Sequence, residues 1–310
     1  MIYTVTLNPA VDRELVVPAI EFDSVLRAID WRVDFGGKGF NVSRLLVSLG
    51  TPSVAVGFAG GRSGELLQDG LRSLGIQTDF VWVEGETRTN VSIVSHSENR
   101  YVKANEPGPQ ISPESQGQLL DKVQGLAQPG DWWVLAGSLP PGVSDTIYAR
   151  IIELLNARGA KAILDASGPA LLHGCKAGPY LVKPNALEAH QITGLPVENL
   201  AQVVAAANAI LKMGPAHLVV SMGKDGALMI KDGGAKIARS PKIEERNPIG
   251  AGDSMVGGLV WGLQQNLPLS EALRWGIACG AATASLSGTA VGTRPMVEAL
   301  FAQVAIEPAV

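Results

Sequence analysis

"NPIGAGDSMVGGLVWGL", residues 247–263, sets Gly250, Ala251 and Gly252 ahead of a single acid, Asp253. Apolar positions then recur at helical spacing, at Met255, Val256, Leu259, Val260 and Leu263. An ordinary helix cap calls for the aspartate but not for the bare glycines. A helix start without side chains leaves several N–H groups unpaired, and the helix dipole adds about half a positive charge there. Glycines let an anion approach those groups closely. The carboxylate repels a phosphate lying directly on it, yet it is well placed to take a proton from a hydroxyl attacking that phosphate. Phosphoryl transfer needs this combination of amide donors and a base.

A second junction of the same kind lies at "FGGKGFN", residues 35–41. Gly36, Gly37 and Gly39 permit backbone approach, Lys38 brings a positive charge, and Asn41 can bond a hydroxyl. Its alternative reading is a glycine turn with a solvated lysine. Two glycine-to-helix junctions in one chain point to two polar ligands, one at each.

Outward from these junctions the chain alternates short β-rich runs with helical stretches. Strands are expected at Ile2–Leu7, Ser53–Phe58, Trp132–Leu135, Ala162–Asp165, Leu181–Lys183 and His217–Ser221. In "NVSRLLVSLG" the spacing of Val42, Leu45, Leu46 and Leu49 predicts a helix that Gly50 stops. Continuous apolar strands between helices predict a mostly parallel sheet covered on both faces. With no linker composition or internal repeat, residues 1–310 read as one α/β domain. Two regions break the alternation: Glu14–Pro18 with Trp31–Phe35, and Thr87–Ser95 with Arg100–Glu106. They read as a small sheet standing off the main body, or else as two surface hairpins. Arg88 and Asn90 share one face of their strand.

Composition narrows the function classes. Hydrophobic residues make up 46% and charged ones 17%, which indicates a large buried core and not a disordered chain. A net charge of −4 offers no footprint for nucleic acid. No apolar run approaches the roughly 18 residues that span a bilayer. Cys175 and Cys279 form no disulfide framework, and the opening residues "MIYTVTLNPAVD" show no export signal, so a cytoplasmic setting is expected.

Other candidates sit after strands, where α/β sheets bind ligands. Asp12 in "TLNPAVD" can accept bonds from sugar hydroxyls. "GSLPPG" brings Ser138, and "VKPNALE" brings Lys183, Asn185 and Glu188. Glu188 suits a hydrated Mg²⁺, an ion that keeps several waters and takes few carboxylates. "SMGKDGA" offers Ser221, Gly223, Lys224 and Gly226 for a nucleotide phosphate or ribose. Neither a P-loop nor a G-x-G-x-x-G turn nor a G-x-S-x-G elbow occurs, and the four histidines lack metal-ligand spacing.

These motifs resemble the ribokinase-like (PfkB-type) carbohydrate kinases over essentially the whole chain. "GGKGFN" is similar to that family's first signature and "NPIGAGDSMVGG" to its second. "TLNPAVD", "GETRTN", "GSLPPGV", "LVKPN" and "GTRPMVEAL" resemble the branch acting on phosphorylated ketohexoses, which includes 1-phosphofructokinases and tagatose-6-phosphate kinases. The resemblance implies a three-layer α/β/α fold with a β-sheet lid, formed by segments about 12–36 and 86–106 and often clasping a second copy in a homodimer. It implies ATP-dependent phosphorylation of a sugar phosphate, fructose 1-phosphate first. Tagatose 6-phosphate or fructose 6-phosphate are the alternatives, and a non-catalytic sugar-phosphate sensor is the alternative of another class. Asp253 is then the base, and Gly250, Ala251 and Gly252 form the anion hole. Asp12, Gly37, Lys38, Asn41, Arg88, Asn90 and Ser138 hold the sugar phosphate. Lys183, Asn185, Glu188, Ser221, Gly223, Lys224, Gly226 and Gly252 face ATP, with Glu188 holding Mg²⁺ through water. Many members carry Thr-Val ahead of Gly-Ala-Gly-Asp, where this chain has Pro248-Ile249 and so lacks one N–H and one hydroxyl.

Overall fold

The structure is a computed structural model that describes residues 1–97, 100–231 and 234–309. β1 (Ile2–Thr6), β2 (Ala10–Val17) and β3 (Asp30–Gly36) precede α1 (Lys38–Ser48). β4 (Val54–Ala59), α2 (Gly61–Ser73) and β5 (Gln77–Trp82) come next, followed by β6 (Arg88–Ser95) and β7 (Tyr101–Asn105). The middle of the chain holds α3 (Pro113–Leu126), β8 (Trp132–Ala136), α4 (Ile147–Ala157), β9 (Lys161–Asp165) and α5 (Gly168–Lys176). β10 (Leu181–Val182), α6 (Ala186–Thr193), α7 (Leu200–Leu211) and β11 (His217–Ser221) lead to a single 3-10 turn, Gly223–Asp225. β12 (Ala227–Lys231), β13 (Gly234–Ala238), α8 (Ala251–Gln264), α9 (Leu269–Ala284), α10 (Arg294–Phe301) and β14 (Ile306–Pro308) follow.

Ten strands form one sheet in the order β14-β13-β12-β11-β10-β9-β8-β1-β4-β5. From β11 to β5 every neighbouring pair is parallel, while β12, β13 and β14 add an antiparallel edge. Successive residues of a strand face opposite sides, and here both sides are covered. Trp133 and Leu135 of β8 join a buried cluster with Tyr148, Ile151 and Leu155 of α4. Trp132 and Val134, one residue out of phase, join another with Leu45 of α1 and Val256, Leu259 and Val260 of α8. Each such buried side chain contributes roughly 1.5–3 kcal/mol. That two-sided burial explains why the central strands read as unbroken apolar runs. No helix among the described residues is long and apolar enough to cross a membrane.

The irregular regions form a four-stranded sheet, β3-β2-β6-β7, in which parallel pairing of β2 with β6 joins two antiparallel pairs. They are therefore not separate hairpins. β2 starts at Ala10, so Asp12 lies inside a strand of this sheet and not in the loop after β1. Likewise α1 begins at Lys38, ahead of the apolar periodicity, because the Asn41 N–H already returns to the Gly37 carbonyl at 2.9 Å.

Candidate active site

The α8 start is built by its backbone. Gly250, the N-cap, has φ 80° and ψ −7°, a left-handed conformation that glycine adopts without strain. The Ala251 N–H turns back onto the Pro248 carbonyl at 3.2 Å. The N–H groups of Gly250, Gly252 and Asp253 make no hydrogen bond among the described residues, so these three, and not Ala251, are the available donors. The Asp253 side chain does not cap its own helix. It is buried and accepts a 2.8 Å bond from Asn41 Nδ2 on α1. Burial, aided by the charge of Asp165, pushes its pKa up to about 6, against the Asn41 bond and the charges of Lys38 and Lys183.

Asp165 was not singled out from the sequence, and it organises the centre. At the carboxyl end of β9, only 1% exposed, its Oδ1 takes ion pairs from Lys38 Nζ at 3.2 Å and Lys183 Nζ at 3.3 Å. Burial works against the Lys38 charge, but Asp165, Asp253 and Glu188 outweigh it and hold its pKa above the ordinary value. Lys183 is buried, and a Cβ placed on Gly252 would stand 4.0 Å from its Nζ. The lysine assigned to the ATP side thus reaches the α8 turn itself. Gly137, anchored through its N–H to the Asp165 carbonyl at 3.0 Å, carries exposed Ser138 to the same edge. A Cβ on Gly137 would lie 3.8 Å from Lys38 Cβ. An acid at the end of an apolar strand carries no local pattern, which is why Asp165 escapes a sequence reading.

A cleft of about 560 Å³ opens between the small sheet and the main body, with Asp12, Asn41 and Gly250 in its walls. Asp12 Oδ1 accepts from Asn90 Nδ2 at 2.8 Å across the β2–β6 pair. Gly36 leaves room for it, since a Cβ there would stand 2.0 Å from Asp12 Oδ2. Arg44 lines this cleft one turn beyond Asn41 and makes no hydrogen bond or ion pair among the described residues. Burial lowers its pKa, while Asp34 and Asp12 favour its charge. Arg32 and Arg246 line the cleft as well. Arg88 does not share a contact with Asn90 despite their common strand face. Its Nη2 donates to Asn8 O at 3.0 Å and its Nη1 to Glu106 O at 3.3 Å, which fixes the guanidinium at the start of β6.

On the other side, Asn185 caps α6 and forms a capping box with Glu188. The Glu188 N–H donates to Asn185 Oδ1 and the Asn185 N–H to Glu188 Oε2, both at 2.8 Å. This leaves Glu188 Oε1 without a hydrogen-bond partner among the described residues. No cluster of three or more metal-ligating side chains occurs among the described residues. One free carboxylate oxygen fits a hydrated Mg²⁺ that also leans on phosphates, not a metal caged by protein. Ser221 bridges to Asn185, and both line a second cleft of about 490 Å³ with Gly223. Lys224 and Gly226 do not line it. Gly226 is there for packing, because a Cβ would stand 1.9 Å from Ala238 O.

The chain is similar to known proteins. Residues 5–295 match the pfkB family carbohydrate kinase pattern. The chain belongs to the pfkB family. It is therefore a phosphotransferase with an alcohol group as acceptor. The 1-phosphofructokinase of Bacillus subtilis is 38% identical, with 99% of each chain covered. Phosphofructokinase-2 of Escherichia coli, solved in complex with fructose-6-phosphate, superposes with a TM-score of 0.90 at 30% identity, covering 97% of this chain and 98% of that one. The ribokinase of Arabidopsis thaliana, complexed with ribose and ATP, shares the fold with a TM-score of 0.77 at 20% identity, over 97% of this chain and 98% of that one.

Proposed function

We propose that this kinase transfers the γ-phosphoryl group of ATP to the 6-hydroxyl of fructose 1-phosphate, giving fructose 1,6-bisphosphate and ADP. One observation carries the choice of sugar. The relative named 1-phosphofructokinase is 38% identical, against 30% for the phosphofructokinase-2 solved with fructose-6-phosphate.

In this reading Asp253 takes the hydroxyl proton as the sugar oxygen attacks the γ-phosphorus, and the bridging oxygen leaves with ADP. A carboxylate with a pKa near 6 is ionised at neutral pH and still holds a proton better than an ordinary aspartate. The free N–H groups of Gly250, Gly252 and Asp253 meet charge on the moving group in a preorganised way. Lys38 and Lys183, both fixed by Asp165, add positive charge beside them. Asp12, Gly37, Asn41 and Asn90 bind the sugar, while Arg88 and Ser138 take its phosphate. Asn185, Ser221 and Gly223 face ATP. Glu188 would hold Mg²⁺ through water, and that ion, when bound, neutralises phosphate charge. The small sheet acts as a lid that excludes water. Its outward Trp31 and Val102, which are 67% and 45% exposed, suit contact with a second copy.

The test is ADP release from ATP with a panel of ketohexose monophosphates. Fructose 1-phosphate should give the highest kcat/KM. A higher value with tagatose 6-phosphate or fructose 6-phosphate overturns the choice of sugar, and no ADP with any of them favours the sensor reading.

A further inference from the structure

Arg32 of β3 joins the small sheet to the main body in an unusual way. Its Nη2 pairs with Glu14 Oε2 at 3.0 Å across the β2–β3 pair, and its Nε stands 3.4 Å from Asp34 Oδ2. These two carboxylates hold the guanidinium against Gly288, which lies between α9 and α10. A Cβ on Gly288 would fall 2.0 Å from Arg32 Nη1, 2.7 Å from Cζ and 2.8 Å from Nη2. The guanidinium therefore stands against bare main chain, and no side chain fits between.

Gly288 is in turn tied to the α8 start. Its carbonyl accepts from Asn247 Nδ2 at 2.7 Å, while Asn247 Oδ1 accepts from the Ile249 N–H at 3.0 Å. Ile249 immediately precedes Gly250, the left-handed residue that opens α8, where the N–H groups of Gly250, Gly252 and Asp253 make no hydrogen bond among the described residues. The Arg246 and Asn247 N–H groups both donate to Ala284 O, at 2.9 and 3.1 Å, so Asn247 is itself fixed to α9.

We propose that Arg32 is a positioning residue for phosphoryl transfer. Through Gly288 and Asn247 it aligns the Gly250 turn when the small sheet lies over the cleft. The inference rests on the reading of that sheet as a lid. When the sheet is down, the guanidinium braces Gly288, and Asn247 holds the Ile249 N–H in register. When the sheet lifts, the brace leaves and the turn loses that constraint. Misplacement of such donors by a fraction of an ångström lowers the rate of the chemical step without weakening nucleotide binding.

The test is a double-mutant cycle on kcat with Arg32→Ala, Asn247→Ala and the pair, with thermal unfolding followed in parallel. The cycle uses whichever ketohexose phosphate the unaltered enzyme turns over fastest, so a wrong sugar shows in the unaltered enzyme and leaves the cycle intact. Arg32→Ala should lower kcat by about tenfold or more while KM for ATP stays within about twofold. The double variant should be little worse than the worse single one, because residues in one relay are not additive. Arg32→Lys should recover little, since one ammonium nitrogen cannot reach Glu14, Asp34 and the Gly288 main chain together. Unchanged kcat in Arg32→Ala overturns the proposal. So do multiplicative losses in the double variant or full activity in Arg32→Lys.

Discussion

Asn41 Nδ2 on α1 donates to Asp253 Oδ2 on α8 across 2.8 Å, joining residues 212 apart in the chain. The two glycine-to-helix junctions therefore meet at a single point. Asn41 orients the carboxylate through one oxygen, Oδ2. Its bond favours the charged form, yet burial and Asp165 outweigh it and keep the acid basic enough to accept a proton.

Replacing Asp253 by Asn should preserve the fold and lower kcat by about 10²–10⁴, the usual worth of a positioned base. A near-normal kcat would remove Asp253 from the mechanism. The same change should raise the melting temperature at pH 7. A carboxyl whose folded pKa lies above its unfolded value stabilises the fold while protonated, below about pH 4, and loses that contribution as pH rises through about 6. At neutral pH the ionised, buried group is a cost of a few kcal/mol at most, which Asn avoids.

The pH profile follows from the same group. With sugar and ATP saturating, kcat should fall as pH drops through about 6, because the base becomes protonated. Asp165 raises that pKa, so in Asp165→Asn the residual activity should show an acid limb shifted to lower pH. An unmoved limb would mean that another group sets it.

Asp165→Asn should also destabilise the protein, by about 3–5 kcal/mol, since it leaves the buried Lys183 ammonium without its counter-charge. Denaturant unfolding measures this. A loss below about 1 kcal/mol would show that water reaches Lys183 and screens it.

Arg88→Ala should raise KM for the sugar phosphate with KM for ATP unchanged, charge-assisted bonds to an anion contributing roughly 1.5–3 kcal/mol. If KM for ATP rises instead, the phosphate contact belongs elsewhere in the cleft. Unpartnered Arg44 is the next candidate.

Gly36→Ala adds a methyl group 2.0 Å from Asp12 Oδ2, so Asp12 must leave Asn90. KM for the sugar should rise at least as much as in Asp12→Ala, with a stability loss of about 1–3 kcal/mol from overpacking. Wild-type kinetics would show that Asp12 does not hold the sugar.

The parallel sheet, the two glycine-to-helix junctions and the family are legible along the chain. These signals are local: apolar runs of strand length, helical periodicity, and bare backbone ahead of Lys38 and Asp253 are all read within about a dozen residues. Tertiary structure alone decided which groups meet. Asp165 ends an apolar strand like many others, and only the parallel pairing of β8, β9 and β10 brings it between Lys38 and Lys183. Arg88 and Asn90 share a strand face, yet the carbonyls of Asn8 and Glu106 draw one away while Asp12 takes the other. Arg32 and Gly288 have no shared pattern at all. Side-chain direction and long-range contact depend on how the sheets stack, and that is an outcome of packing the whole chain, which no short stretch encodes.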